Sequence, residues 1–397
     1  MNAPFLDLYG DEFRTDPHAV LAGLREGSWR ADTAVGTAVL RYDDVQALLA
    51  DRRLRTPGAD FLAMQGITSG PLVDLMSGFL LNADGEPHDR VRRLVGKAFT
   101  VRRVESFRPR VRAIADELLA KLEETDECDF VAEFADPFAQ RVLYEFVGIP
   151  VDGHSEVRKW TSDIGLLFGL SVAEHSARIE AALADLNRYI DELLEQRRVS
   201  PRDDLLSALI AAEEAGELLT DAELRSMVIT LMSAGHGTVM HQLGNAMAAF
   251  LAHPEQWKLL AAEPALAAQA AEEVVRFGPA SLLGLPRIVK TEMSVRAERF
   301  PAGAWVLPLT GSANRDPLVF DVADRFDISV TRRAHLTYGG GIHYCLGAAL
   351  ARVQLQESLP TLASRLLEPR PAGTAEWLPP TEAVYGPVRL PIAYRPG

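Results

Sequence analysis

The stretch LTYGGGIHYCLGAALARVQLQ, residues 336–356, decides the reading of this chain. Three consecutive glycines, Gly339, Gly340 and Gly341, stand just ahead of Cys345. Glycine permits backbone angles and close approaches that side chains forbid, so a tight loop is expected here. Beyond Cys345 the residues from Leu346 to Ala351 turn helical. A cysteine at a helix N-terminus feels the positive end of the dipole and nearby amides, both of which favour thiolate. A thiolate held under a glycine loop is what a metal ligand requires. The same short string also fits a buried structural cysteine. A phosphate loop does not fit, because no Lys-Ser or Lys-Thr follows the glycines.

Outward from this stretch, the bulk composition sets bounds. The chain has 397 residues, 48% hydrophobic and 24% charged, which is ordinary for a globular protein and long enough to enclose a large buried cofactor. Its net charge of -14 disfavours a general nucleic-acid-binding role. Basic residues cluster locally at Arg90, Arg92, Arg93, Lys97, Arg102 and Arg103. Such a patch suits an acidic protein partner or an anionic cofactor, and each residue singly also fits a solvated helix face. The other cysteine, Cys128, lies in an ordinary half-buried context and is expected to be inert. The N-terminal residues lack the apolar run of a signal peptide or anchor, and VITLMSAGHGTVM, residues 228–240, is too short and too polar to span a bilayer. The expectation is a cytoplasmic protein that touches no membrane.

Most of the chain reads as helix. Apolar residues recur three and four apart in residues 101–124 and 177–198, and again in 203–218 up to a glycine turn. Thr220 and Glu223 form a capping box that opens a helix running through residues 228–252, apolar nearly all round and so expected to be buried. Residues 33–42 read as a hairpin, residues 286–295 and 297–309 as a second pair of strands, and residues 369–387 as irregular chain with short strands. The expected fold class is mainly α with small β-sheets, in one domain over residues 1–397.

The segment Tyr338-Gly339-Gly340-Gly341-Ile342-His343-Tyr344-Cys345-Leu346-Gly347 resembles the haem-binding signature of the cytochrome P450 family: aromatic, Gly-x-Gly-x, basic, x, Cys, x, Gly. The family usually opens it with Phe, so Tyr338 is a mild departure. Glu273-Val274-Val275-Arg276 resembles the family's Glu-x-x-Arg pair, and residues 313–317 and 320–329 resemble the segment before the cysteine loop. Residues 41–54 and 86–100 also have the family's look, so the resemblance covers nearly the whole chain.

The resemblance implies a triangular helical prism around haem b, with Cys345 as the axial iron ligand. It implies that Tyr338, Gly339 and Gly347 shape the cofactor loop. His88, Arg92, Arg287 and His343 would serve the haem propionates. His88 and Arg92, four apart, project from one helix face. Glu273 and Arg276 would be structural, joined by an arginine from the following segment; Arg325 and Arg332 both qualify. Ala234-Gly235-His236-Gly237-Thr238 matches the oxygen-binding helix pattern, where small residues leave room for dioxygen and the Thr238 hydroxyl relays protons. The family usually carries an acid immediately before that threonine; here Gly237 stands there, so protons need another route. Gly235 and Gly237 together are expected to loosen the helix.

The implied activity is monooxygenation of a small or medium organic molecule in secondary metabolism, using O2 and electrons from a separate ferredoxin and ferredoxin reductase. The patch with Arg90 and Arg93 is the expected ferredoxin dock. An aromatic polyketide is one substrate class in view, and a carrier-protein-tethered substrate is an alternative no motif supports. Two further readings stay open: peroxide-driven oxidation or phenol coupling, and a catalytically silent haem-binding recruitment domain. Substrate contacts are expected from residues 69–82, 162–172 and 281–289, with Leu283 and Leu285 lining the pocket.

Overall fold

The computed structural model describes residues 3–168, 172–214 and 216–397. The chain groups into two compact units, one made of Met1–Thr56, Arg108–Phe138 and Thr238–Gly397, the other of Pro57–Phe107 and Ala139–Gly237.

The first unit is built on a five-stranded sheet. The hairpin Arg30–Thr33 and Gly36–Val39 is antiparallel, as residues 33–42 indicated, but it starts three residues earlier. The strand Trp305–Pro308 runs parallel to Gly36–Val39, and Arg287–Val289 and then Leu54–Arg55 complete the sheet. The expected pair in residues 286–309 is two nested pairs: Arg287–Val289 with Trp305–Pro308 outside, and Met293–Val295 with Glu298–Phe300 inside. Side chains alternate along each strand. Val39 and Val306 therefore join one apolar cluster, with Tyr42, Leu48, Leu54 and Phe300, whereas Ala38 and Leu307 join another, with Leu6, Phe13 and Leu21. Covered on both faces, the sheet forms a rigid base for the loops at its ends.

The helix Gly237–Ala252 is buried along most of its length, including His241, Gln242 and Asn245. Gln242 and Asn245 serve the C-terminal end of the helix Ala267–Phe277, where carbonyls lack intrahelical partners, while His241 Nδ1 lies 3.1 Å from the Pro387 carbonyl oxygen. Gln242 Nε2 donates to the carbonyls of Val274 and Gly278 at 3.1 and 3.0 Å, and Asn245 Nδ2 donates to those of Gly278 and Tyr385.

The second unit is helical. Its longest helix, Val172–Val199, contains the periodic segment 177–198. In residues 203–218, helix covers only Leu205–Ala211, capped by Asp204, and Glu213–Glu214 then pairs with Glu217–Leu218. Gly216, at a φ of 83°, lets the chain reverse there. The capping box forms as expected: the Glu223 amide donates to Thr220 Oγ1 at 3.3 Å, and the Thr220 amide to Glu223 Oε2 at 2.8 Å. The helix it opens is not continuous. Asp221–Gly235 ends at His236, and Gly237–Ala252 begins beyond it. Glycines on both sides of His236 lower the helix propensity where the chain breaks. Among the described residues, no helix is long and apolar enough to cross a membrane.

Gly36 shows how tightly the sheet is packed. Its φ is 149°, and a Cβ there would stand 2.4 Å from the Trp305 carbonyl oxygen. Gly36→Ala is expected to cost about 1–3 kcal/mol, read as a lowered denaturant midpoint at unchanged m-value.

Candidate haem-thiolate site

The two cysteines occupy opposite environments. Cys128 is buried in the strand Glu127–Asp129, and burial pushes its thiol up to about 12. Cys345 is exposed. Its amide donates to the Tyr338 carbonyl at 2.8 Å, closing a loop over residues 338–345. Gly339 and Gly341 have φ of 72° and 61°. A Cβ on Gly341 would stand 2.7 Å from the Leu49 carbonyl oxygen, and one on Gly340 would stand 3.1 Å from Leu49 Cβ. The glycines are thus needed because the loop lies against the end of the helix Tyr42–Ala50. Gly347 caps the helix Ala348–Arg365, so Cys345 stands just ahead of a helix N-terminus. His343 ends the short turn Gly341–His343.

Glu273 and Arg276 form a buried bidentate pair, with Nε to Oε2 at 2.7 Å and Nη2 to Oε1 at 2.8 Å. Arg276 also donates to the carbonyls of Asn314, Ala323 and Arg325, which uses all five of its N–H groups. Of the two arginines left open by the sequence, Arg332 is the one whose guanidinium reaches Glu273, at 3.3 Å. Arg325 contributes only its carbonyl to this cluster, and its side chain pairs with Asp327. Asn314 carries the cluster to the cysteine loop: Oδ1 accepts the Leu336 amide at 2.7 Å, and Nδ2 donates to Thr337 Oγ1 at 2.8 Å.

Arg287 is buried, and among the described residues its guanidinium donates to the carbonyls of Leu285 and Pro286, each at 3.2 Å. Burial lowers its pKa to about 10, and among the described residues no carboxylate pairs with it. A buried cation without an anion is costly. It suits an anionic ligand, and a haem propionate is one. Thus the first unit presents both an exposed thiol and a buried cation that, among the described residues, has no carboxylate partner. Leu283, half-buried, packs on the cluster of Leu6 and Leu21, and Leu285 is exposed.

The remaining candidates lie on other elements. Thr238 is in the first turn of Gly237–Ala252. Ala234 and Gly235 end Asp221–Gly235, where a Cβ on Gly235 would stand 3.0 Å from Leu143 Cδ1. In the second unit, the helix Gly85–Ala98 carries His88 and Arg92, the former buried with Nδ1 at 3.0 Å from Asp89 Oδ1. Two members of the basic patch are paired: Arg90, on the same helix, with Glu223, and Arg103, on the helix Val101–Leu122, with Asp203, so these two do not present unpaired charge to a partner. Within residues 162–172, Gly169, Leu170 and Ser171 lie outside the described residues.

Sequence reasoning missed the surroundings of the loop on the helices Ala267–Phe277 and Ala348–Arg365. Arg352 donates to Glu272 and to Tyr344 Oη, and stacks on the Tyr338 ring. Its place seven residues after Cys345, one turn into the helix that follows, was the available signal. Burial raises the Tyr338 phenol, whose hydroxyl has no hydrogen-bond partner among the described residues.

Comparison with known proteins agrees with this geometry. A model of the cytochrome P450 family matches residues 162–367. Luteothin monooxygenase of Streptomyces thioluteus is 38% identical over 393 residues, spanning 98% of this chain and 96% of that one. Mycinamicin IV hydroxylase/epoxidase of Micromonospora griseorubida is 36% identical, spanning 90% of this chain and 89% of its own. The structure of cytochrome P450 CYP109Q5 from Chondromyces apiculatus matches with a TM-score of 0.89 at 32% identity, covering 100% of both chains.

Two outcomes are expected. In haem-free protein, a thiol reagent at neutral pH should label one cysteine per chain, lost in Cys345→Ser and kept in Cys128→Ser; fast labelling of Cys128 would contradict its burial. Arg276→Ala should destabilise by about 3–5 kcal/mol in denaturant unfolding, because Glu273 is left buried without its partner.

Proposed function

The chain belongs to the cytochrome P450 family, and from that premise we propose that it is a haem-thiolate monooxygenase of bacterial secondary metabolism. It acts on a small or medium organic molecule with O2, and takes electrons from a separate ferredoxin and ferredoxin reductase in the cytoplasm. The observation that carries the reading is the presence, in one unit, of an exposed Cys345 on a glycine-closed loop and a buried Arg287 that, among the described residues, has no carboxylate partner.

Haem b, when bound, supplies oxygen activation, and thiolate ligation favours O–O cleavage, as in cytochromes P450 generally. The chain's own residues do the rest. Cys345 holds the iron. Arg287 and His343, with His88 and Arg92, hold the propionates, and Arg287 does so as a fork that can engage a carboxylate in bidentate fashion. Tyr338, Gly339 and Gly347 keep the loop close to the cofactor. Ala234, Gly235 and Gly237 would keep side-chain bulk low beside Thr238, whose hydroxyl would hold and pass on a proton. With glycine at 237, the protons reach Thr238 through water or a substrate group. Glu273 and Arg276 hold the scaffold of the loop. Leu283 and Leu285 face the substrate, and residues 1–397 work as one domain.

The two relatives named for luteothin and mycinamicin IV support a secondary-metabolite substrate, and an aromatic polyketide is the narrower class we put forward. The glycine at 237 favours a second reading, peroxide-driven oxidation or phenol coupling. The two differ in oxygen uptake per product when peroxide replaces the electron donors.

Candidate compounds should be screened by the spin-state change they produce in the haem spectrum. With a hit in hand, Thr238→Ala should lower product formed per electron by roughly 10²-fold, the low end of what a positioned proton-transfer group contributes. An unchanged yield would remove Thr238 from the proton route.

A further inference from the structure

One guanidinium grips both ends of the cysteine loop. Arg352 lies one turn inside the helix Ala348–Arg365. Its Nε and Nη2 donate to Glu272 Oε1 and Oε2 at 2.7 and 3.2 Å. Its Nη1 donates to Tyr344 Oη at 3.2 Å, and its guanidinium carbon lies 4.5 Å from the centroid of the Tyr338 ring. Tyr338 and Tyr344 bracket the loop that the Cys345 amide closes onto the Tyr338 carbonyl.

The carboxylate is itself held. His335 Nδ1 accepts the Thr337 amide at 3.2 Å, which assigns the ring proton to Nε2, 3.5 Å from Glu272 Oε2. Burial would raise Glu272, but His335 and Arg352 overcome it and hold the carboxyl at about 2. Glu272 also adjoins Glu273, the partner of Arg276, so the grip is fixed to the helix that carries the buried pair. The Arg352 and Glu272 side chains are 31% and 41% exposed, and an isolated ion pair at that exposure contributes little stability. What sets this one apart is the stacking on Tyr338 and the bond to Tyr344, a geometry a planar fork provides and an ammonium does not.

We propose that Arg352, held by Glu272, is a positioning residue for the Cys345 sulfur: by fixing residues 338 and 344 together it sets how that sulfur meets iron. The inference rests on the haem-thiolate reading and gives Arg352 no contact with substrate.

The test compares the haem-loaded wild type with Arg352→Gln, Arg352→Lys and Glu272→Gln, by ferrous carbonyl spectrum and midpoint potential, with far-ultraviolet circular dichroism as the measure of fold. Arg352→Gln should increase several-fold the fraction of carbonyl complex lacking the thiolate signature, with the fold retained, and the fraction that keeps the signature should have a more negative potential because a positive charge is lost. Arg352→Lys should fall between it and wild type. Glu272→Gln, which keeps the stacked guanidinium, should show the same spectral change more weakly but shift the potential the other way, because it removes a negative charge, and its spectrum decides the matter if Arg352→Gln does not fold. Spectra and potentials equal to wild type in the folded variants would overturn the proposal. A wild-type protein without the thiolate signature would instead overturn the haem-thiolate reading on which it stands.

Discussion

The buried pair of Glu273 and Arg276 is the constraint on which the cysteine loop depends. Neither charge reaches water, so the cost of removing both from solvent is met by their mutual attraction, by Arg332 beside Glu273 and by a full set of hydrogen bonds on Arg276. The set is full for Arg276, with two bonds to Glu273 and one each to the carbonyls of Asn314, Ala323 and Arg325. Those carbonyls belong to irregular chain, and the guanidinium supplies partners that secondary structure does not. The Asp327 amide returns to Glu273 Oε1 at 3.0 Å, so the segment is held at both polarities. From there Asn314 reaches Leu336 and Thr337, and the loop of Cys345 begins.

At the loop's other side the restraint is steric rather than polar. The helix Tyr42–Ala50 packs against the sheet through Val45, Leu48 and Leu49, and its last turn is the floor on which Gly340 and Gly341 rest. The sheet is therefore coupled to the sulfur through one helix end. Polar ties from one direction and backbone contact from the other leave the loop few ways to rearrange.

The cysteine motif and the Glu-x-x-Arg pair were legible because each packs its chemistry into a short window. The capping box at Thr220 was legible for the same reason. The choice between Arg325 and Arg332 was not, since what Arg325 gives the cluster is a carbonyl, which every residue has. The helix break at His236 showed only as a pair of glycines, and the strand pair at 213–218 was hidden by a helical period that persists past Ala211. Arg90 read as surface charge until the structure put Glu223 beside it. In each case the deciding partner is distant in sequence or contributes only backbone.

Arg287 has a thermodynamic consequence. A cation kept from water with, among the described residues, neutral carbonyls as its partners costs the fold stability. An anion that binds there offsets that cost, and it does so where folding has buried the guanidinium. Ligand uptake and folding of this segment are then linked equilibria, and resistance to unfolding rises with the logarithm of the free anion concentration once that exceeds its dissociation constant. On the proposed reading, in which that anion is a haem propionate, the haem-loaded chain is the more durable form.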